Sequence, residues 1–222
     1  EIILGRGSFT ESFPLFGYDL EHYDRLFEEK LHLFATLLEA DRTGEAVTWR
    51  GTTRPPLEEQ RVFPPTESGP LRTWIGVGGS PQSVVRAARY GMPLMLAIIG
   101  GDPRRFLPWI ALYQDTLDRA GAPRLPVGVH SHGYVAETDA AARAELWEPW
   151  REMRDRIGRE RGWPRTTRAE FDRECDAGSL YVGAPETVAR RIADVVREMG
   201  VSRFDVKYSA DRKSTRLNSS HV

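Results

Sequence analysis

The sequence predicts an α/β fold in which parallel strands alternate with helices, and three features of the chain predict it. Short apolar runs with strand character, such as residues 73–77 and 94–99, recur along the chain; each is followed by a glycine-bearing turn, and each turn leads into a segment with helical periodicity. Strands alternating with helices in this way form right-handed βαβ units and hence a parallel sheet. About five core strands are expected. A doubly wound sheet and part of an eight-stranded barrel both fit that number.

The first predicted elements are a strand, a long helix and a hairpin. Residues 2–4 are apolar and run directly into a glycine-rich turn. Asp19 is a candidate N-cap ahead of apolar side chains spaced three or four apart, which predicts a long helix with one buried face. Residues 47–50 and 59–63, separated by a loop with two prolines, predict a short hairpin outside the main core.

The clearest boundary signals follow the strand at residues 73–77. Ser80 is suited to cap a helix and Pro81 to occupy its first position, so a helix is expected to start there. The same cycle then repeats with a strand at residues 94–99 and a helix at residues 106–119.

The second half of the chain continues the alternation. Residues 127–135 predict a strand, and residues 139–161 a long charged helix that Pro149 is expected to bend or divide. Thr167 and Glu170 have the spacing of a capping box for the next helix. The last predicted elements are a strand at residues 180–183, a helix from Pro185 to the residue before Gly200, and a strand at residues 204–208.

Composition restricts the kinds of partner. The 222 residues, 40% apolar and 28% charged, are typical of one globular domain. A formal net charge of -1 provides no broad positive field for nucleic acid or an anionic membrane, which favours a small-molecule substrate. The single cysteine, Cys175, cannot form an internal disulfide, which suits a reducing compartment such as the cytoplasm. No segment reaches the ~20 apolar residues of a membrane-spanning helix.

Four fragments of the chain, in order and suitably spaced, resemble the bacterial luciferase-like flavin-dependent monooxygenases. They are residues 4–8 with 16–20, residues 74–81, residues 87–95 and residues 182–188. The resemblance covers residues 2 to about 210. It implies a TIM barrel of which this chain contains strands four to eight, and an enzyme that uses reduced FMN and O₂ on a small organic substrate. It also implies electron supply by NAD(P)H or a flavin reductase, and a homo- or heterodimer.

The resemblance and the chain ends together predict an incomplete domain with an added tail. Glu1 directly precedes a strand, while residues 211–222 are polar, aperiodic and similar to translated adapter or vector sequence. The expected organisation is a luciferase-like domain at residues 1–210 that lacks barrel strands one to three, and a non-native or disordered tail at residues 211–222. Such a fragment is expected to expose sheet edges, to express poorly and to be inactive by itself.

The turn after residues 73–77 has the properties of an anion site. Glycines after a strand let the backbone approach a ligand closely, and the following helix directs free N–H groups and its positive dipole end to the same point. Arg6, on the turn after the neighbouring strand, can add a bidentate contact. The resemblance implies that FMN binds here through its phosphate. The cofactor-binding residues it assigns are Arg6, Gly7, Ser8, Gly78, Gly79, Ser80 and Ser83.

A structural interpretation of these residues stands beside that one. Ser80 and Pro81 can simply cap a helix, the two glycines can simply turn the chain, and Arg6 can form a surface ion pair. The family resemblance favours cofactor binding. No catalytic residue is assigned, because the family's polar side chains facing the flavin ring come from the first strands.

Two other functions remain open. His130 and His132 lie on one side of a predicted strand at the spacing of two ligands in a metal-dependent TIM-barrel hydrolase, and Asp205 is available as a further ligand. The order and spacing fit that class poorly, so the two histidines are expected to line the barrel mouth, and no metal ligand is assigned. A non-catalytic flavin-binding protein is the third hypothesis.

Overall fold

The structure is a computed structural model that describes residues 1–7, 10–67, 69 and 71–208. Its strands are β1 (Ile2–Leu4), β2 (Val47–Trp49), β3 (Leu57–Gln60), β4 (Thr73–Val77), β5 (Leu94–Ala97), β6 (Val127–Val135), β7 (Tyr181–Gly183) and β8 (Arg203–Lys207). Its α-helices are α1 (Ser12–Leu15), α2 (Tyr23–Thr43), α3 (Pro81–Arg89), α4 (Leu107–Arg119), α5 (Asp139–Arg161), α6 (Arg168–Ala177) and α7 (Pro185–Met199). The described part of the chain divides between Gly76 and Val77 into two compact units, called the first and the second unit below.

The predicted fold class is confirmed. Apart from the β2–β3 hairpin, the described strands pair in parallel and alternate with helices, as in part of a TIM barrel. The predicted tail at residues 211–222 lies outside the described residues. No helix in the described part of the chain has the length and apolar character needed to cross a membrane.

The first unit contains the long predicted helix, which starts later than Asp19 suggests. Asp19 accepts a hydrogen bond from the backbone N–H of Glu21 at 2.9 Å and thereby caps a separate 3₁₀ turn at Leu20–His22. The α-helix α2 follows this turn and buries Leu26 and Leu31. The prediction of a helix with one buried face is therefore confirmed, and its start is corrected.

The hairpin of the first unit forms with a different second strand from the one predicted. Its strands β2 and β3 are antiparallel, and Trp49 lies opposite Leu57. The predicted second strand, residues 59–63, includes Val62 and Phe63, but both of these side chains are exposed. The strand instead starts at Leu57, the residue opposite Trp49. Cross-strand pairing selects the register more strongly than local β-propensity does.

The central strand of the second unit is β6. It runs parallel to β5, to β7 and to β8, so that His130 lies beside Ala97 of β5 and Asp205 of β8. A strand with neighbours on both edges has its backbone N–H and C=O groups satisfied within the sheet. The nine residues of β6 are thus the framework on which the surrounding side chains are positioned.

The helix boundaries of the second unit follow the predicted capping signals. Ser80 caps α3 with Pro81 at its first position. Thr167 and Glu170 form the predicted capping box, in which each side chain accepts a hydrogen bond from the other residue's backbone N–H. Helix α5 continues through Pro149, so of the two effects predicted for this proline, a bend or a division of the helix, the division does not occur.

A buried cluster joins α5 and α6 to β7. Phe171 of α6 is fully buried between the rings of Trp147 and Trp150. Cys175 belongs to the same cluster, where burial raises the pKa of its thiol to about 12. The thiol is therefore protonated at neutral pH, and a protonated thiol is a weak nucleophile.

Candidate cofactor site

The glycine turn after β4 leaves its backbone open on one side. A Cβ atom added at Gly78 or at Gly79 would meet nothing within 4 Å. Gly79 also has a φ of +125°, a conformation that L side chains rarely adopt. The turn therefore combines a backbone shape that requires glycine with open space in front of it, which is what close approach by a ligand requires.

The two serines of the predicted site differ in their surroundings. Ser80 Oγ accepts a hydrogen bond from the backbone N–H of Ser83 at 3.4 Å and donates to the side chain of Gln82 at 2.9 Å. Ser83 is buried within the first turn of α3, and its Oγ accepts from Arg86 Nη1 at 3.4 Å. Ser80 is thus the more accessible hydroxyl. Sequence reasoning missed Arg86, although its position three residues after Ser83 places both on one helix face.

Arg6 is held on the turn after β1 by residues at the start of α2. Its Nη1 lies 2.6 Å from the Asp24 carboxylate, and its guanidinium lies 5.4 Å from the ring centre of Tyr23. The hydroxyl of Tyr23 donates to the carbonyl of Gly7, which has a φ of +77°. Ser8, the remaining predicted residue here, lies outside the described residues.

The ion pair of Arg6 does not argue against a phosphate partner. The side chain of Asp24 is 74% exposed, and an ion pair with such a carboxylate contributes about 0–1 kcal/mol. A charge-assisted hydrogen bond to a phosphate contributes roughly 1.5–3 kcal/mol. Arg6 can therefore exchange its partner, and the glycine turn and helix start fit a group that ends in a phosphate. The predicted contacts themselves stay predictions.

The two histidines of β6 are in a desolvated environment. Burial, and after it the charges of Lys207, His130 and Arg154, lowers the pKa of His132 to about 4. Burial likewise lowers the pKa of His130. Both imidazoles are therefore neutral at pH 7.

The metal-hydrolase hypothesis receives no support from this geometry. Asp205, its proposed third ligand, accepts a hydrogen bond from Arg203 Nε at 2.8 Å. Among the residues that the structure describes, no group of three or more histidine, cysteine, aspartate or glutamate side chains could hold a metal ion.

The low pKa of His132 predicts a stability change in weak acid. Its pKa in the folded state, about 4, lies below the ordinary value of 6.5, so the unfolded state takes up the proton first as the pH falls. Protonation of this group is then expected to lower the free energy of unfolding by about 2 kcal/mol between pH 6.5 and pH 4.5. Urea unfolding at several pH values across this range measures the decrease. The decrease should be smaller in the His132→Gln variant. An unchanged pH dependence in the variant would contradict the assignment, because carboxylates with ordinary pKa values titrate mainly below this range.

Comparison with known proteins identifies the family. The family model described as luciferase-like monooxygenase matches residues 1–203. Monooxygenase RslO1 from Streptomyces bottropensis is 21% identical with a TM-score of 0.74, and the match covers 99% of this chain and 67% of that chain. The oxygenating constituent of 3,6-diketocamphane monooxygenase from the CAM plasmid of Pseudomonas putida, in complex with FMN, is 15% identical with a TM-score of 0.67, covering 97% of this chain and 67% of that chain.

A third solved structure contains a different cofactor. An F420-dependent secondary alcohol dehydrogenase in complex with an F420-acetone adduct is 16% identical with a TM-score of 0.64, covering 92% of this chain and 62% of that chain. At such identities these structures show a shared fold. The chain spans about two thirds of the length of the first two. No curated protein sequence matches it. On the family match, which extends over most of its length, the chain belongs to the luciferase-like monooxygenase family, whose general class is the flavin-dependent monooxygenases.

Proposed function

We propose that this chain is part of a monooxygenase that uses reduced FMN and O₂ to oxygenate a small organic substrate, with electrons supplied by NAD(P)H or a flavin reductase. The observation that supports FMN is the open glycine turn directly before a capped helix, in a chain of this family. When bound, FMN supplies the redox chemistry with oxygen that protein side chains lack. The side chains of this protein have the task of binding and positioning.

The proposed phosphate contacts are of two kinds, one from an arginine charge and one from a helix dipole. Arg6 supplies a guanidinium with two parallel donors, which matches the geometry of phosphate oxygens. The start of α3 supplies the positive end of the helix dipole, and the Ser80 hydroxyl can turn from Gln82 to a phosphate oxygen. Gly78 and Gly79 allow the phosphate to approach the backbone. Ser83 is buried, so its proposed role is indirect: its backbone N–H donates to Ser80 Oγ within the first turn of α3 and helps to position that serine.

The cofactor of the F420-dependent neighbour is the competing ligand. FMN ends in a phosphate monoester with up to two negative charges, whereas a deazaflavin of the F420 type carries its phosphate inside a longer chain. A helix start preceded by an open glycine turn is suited to a terminal phosphate. We therefore favour FMN.

Discrimination between FMN and riboflavin tests this proposal, because the two share the flavin ring and differ in the phosphate. We expect the purified chain to bind FMN about 10–100-fold more tightly than riboflavin, as one charge-assisted contact of roughly 1.5–3 kcal/mol predicts. Arg6→Met should remove most of this preference. The measurement is quenching of flavin fluorescence on titration with protein.

The matched control is Arg25→Met, which removes an exposed arginine from the same unit. It should leave the preference for FMN unchanged. Equal affinities for FMN and riboflavin in the unmodified chain, or equal effects of the two arginine variants, would refute the proposed phosphate site. Tighter binding of an F420-type deazaflavin than of FMN would reassign the cofactor.

A further inference from the structure

The second unit contains a small cavity that the flavin proposal does not use. It has a volume of about 50 Å³ and lies between the residues that follow β5, the interior of β6, helix α5 and the turn from α6 to β7. We call it the His132 cavity. Its lining includes the apolar side chains Trp150, Met153 and Leu180 and the polar side chains His132, Arg154 and Ser179.

Three buried polar atoms of this lining have no hydrogen-bond partner in the described part of the chain. They are His132 Nδ1, Arg154 Nε and Ser179 Oγ. The exposed fraction is 9% for His132 and 2% for Ser179, so bulk water does not solvate these groups freely. Each buried polar group without a partner costs roughly 1–3 kcal/mol. Three such groups around one cavity indicate a site built for a polar ligand.

The charges of the lining favour an anion. Arg154 is a cation whose guanidinium lies 5.5 Å from the ring centre of Trp150 and 5.1 Å from that of Trp163, so its position is fixed by stacking. Lys207 adds positive charge near His132, because the two residues lie opposite each other on β8 and β6.

The acidic residue of the lining, Glu174, is already bound to the backbone. Both of its carboxylate oxygens accept from the N–H of Gly101 at 3.0 Å, and Oε2 also accepts from the N–H of Ser179 at 3.3 Å. The groups left without a partner are therefore a guanidinium N–H, a hydroxyl and a neutral imidazole whose Nδ1 can carry a proton. All three can donate to an oxygen atom.

The size of the cavity limits the ligand. One water needs roughly 10–15 Å³ in the same measure, so 50 Å³ accommodates a group of about four heavy atoms. A carboxylate and the adjoining carbon of a short-chain acid fill this volume, with the oxygens toward the donors, and the rest of the chain extends past Met153 and Leu180 toward the open side of the cavity. We propose that the His132 cavity binds the carboxylate of a small organic acid, held by Arg154, Ser179 and His132.

Butyrate is a suitable probe, and butan-1-ol is its uncharged counterpart. In the full chain with isotope-labelled histidine, we expect butyrate to shift the His132 imidazole resonances in NMR spectra saturably and to raise the His132 pKa, because an adjacent anion stabilises the imidazolium. The resonances are assigned with His132→Gln. Butan-1-ol should produce neither effect. No flavin is present, so failure of FMN binding would leave this result unaffected.

Arg154→Met and Ser179→Ala test the donors. Arg154→Met keeps the apolar part of the side chain and is expected to weaken butyrate binding about 10–100-fold, as loss of a buried charge-assisted contact predicts. Ser179→Ala should weaken it less. The control Arg156→Met removes an exposed arginine of the same helix and should have no effect.

Three outcomes would overturn the inference. The first is the absence of a saturable butyrate effect on His132. The second is equal binding of butyrate and butan-1-ol, which would make the cavity an apolar site. The third is inorganic phosphate binding more tightly than butyrate with the same dependence on Arg154, which would make the ligand a phosphate. If Arg154→Met fails to fold, as judged by circular dichroism, the Ser179→Ala variant and the comparison of butyrate with butan-1-ol and phosphate still test the inference.

Discussion

Phe171→Ala is expected to lower the free energy of unfolding by about 3–5 kcal/mol, the usual cost of deleting a fully buried phenyl ring. The side chain has 0% exposure, and its ring centre lies 5.4 Å from that of Trp147 and 5.3 Å from that of Trp150. The loss combines a cavity between α5 and α6 with two aromatic pairs. Urea unfolding followed by tryptophan fluorescence measures it.

The control for this variant is Phe16→Ala, because the side chain of Phe16 is 70% exposed. Its effect should stay within about 0.5 kcal/mol. Phe171→Leu should recover part of the loss, since it restores much of the apolar volume. A destabilisation by Phe171→Ala no larger than that of the control would mean that α5 and α6 do not pack as described. Because Trp150 also lines the His132 cavity, Phe171→Ala should weaken butyrate binding as well.

Gly133→Ala is expected to destabilise the second unit by about 3 kcal/mol, at the upper end of the usual cost of overpacking. Its added Cβ would lie 2.6 Å from Val206 Cγ1 and 2.8 Å from the backbone oxygen of Tyr181. Val206 belongs to β8 and Tyr181 to β7, and both strands are paired with β6. The backbone oxygen cannot move away without disturbing that pairing. Chemical denaturation provides the free energy.

The matched control is Gly76→Ala, also at a glycine within a strand. Its added Cβ would make only ordinary contacts, the nearest at 3.5 Å from Ile3 Cγ2. This variant should be neutral or slightly stabilising, because alanine restricts the unfolded chain more than glycine does. Equal stability of the two variants would exclude the close packing of β6 against β7 and β8.

The sequence alone determined the elements whose signals lie within a few residues. Ser80 with Pro81 defined the start of α3, and Thr167 with Glu170 defined the start of α6, because a cap is a contact between near neighbours in the chain. The alternation of strands and helices was likewise sufficient for the α/β class. The glycine turn could be found for the same reason, since its backbone shape is a local property.

Tertiary structure decided the features that join distant parts of the chain. The register of β3 depends on Trp49, and the ion pair of Arg6 depends on the position of Asp24 in α2. The His132 cavity requires β6, α5 and the α6–β7 turn to meet, and none of its side chains carries a sequence signal of this association. Burial and pairing energies of such contacts depend on three-dimensional proximity, which short-range patterns do not encode.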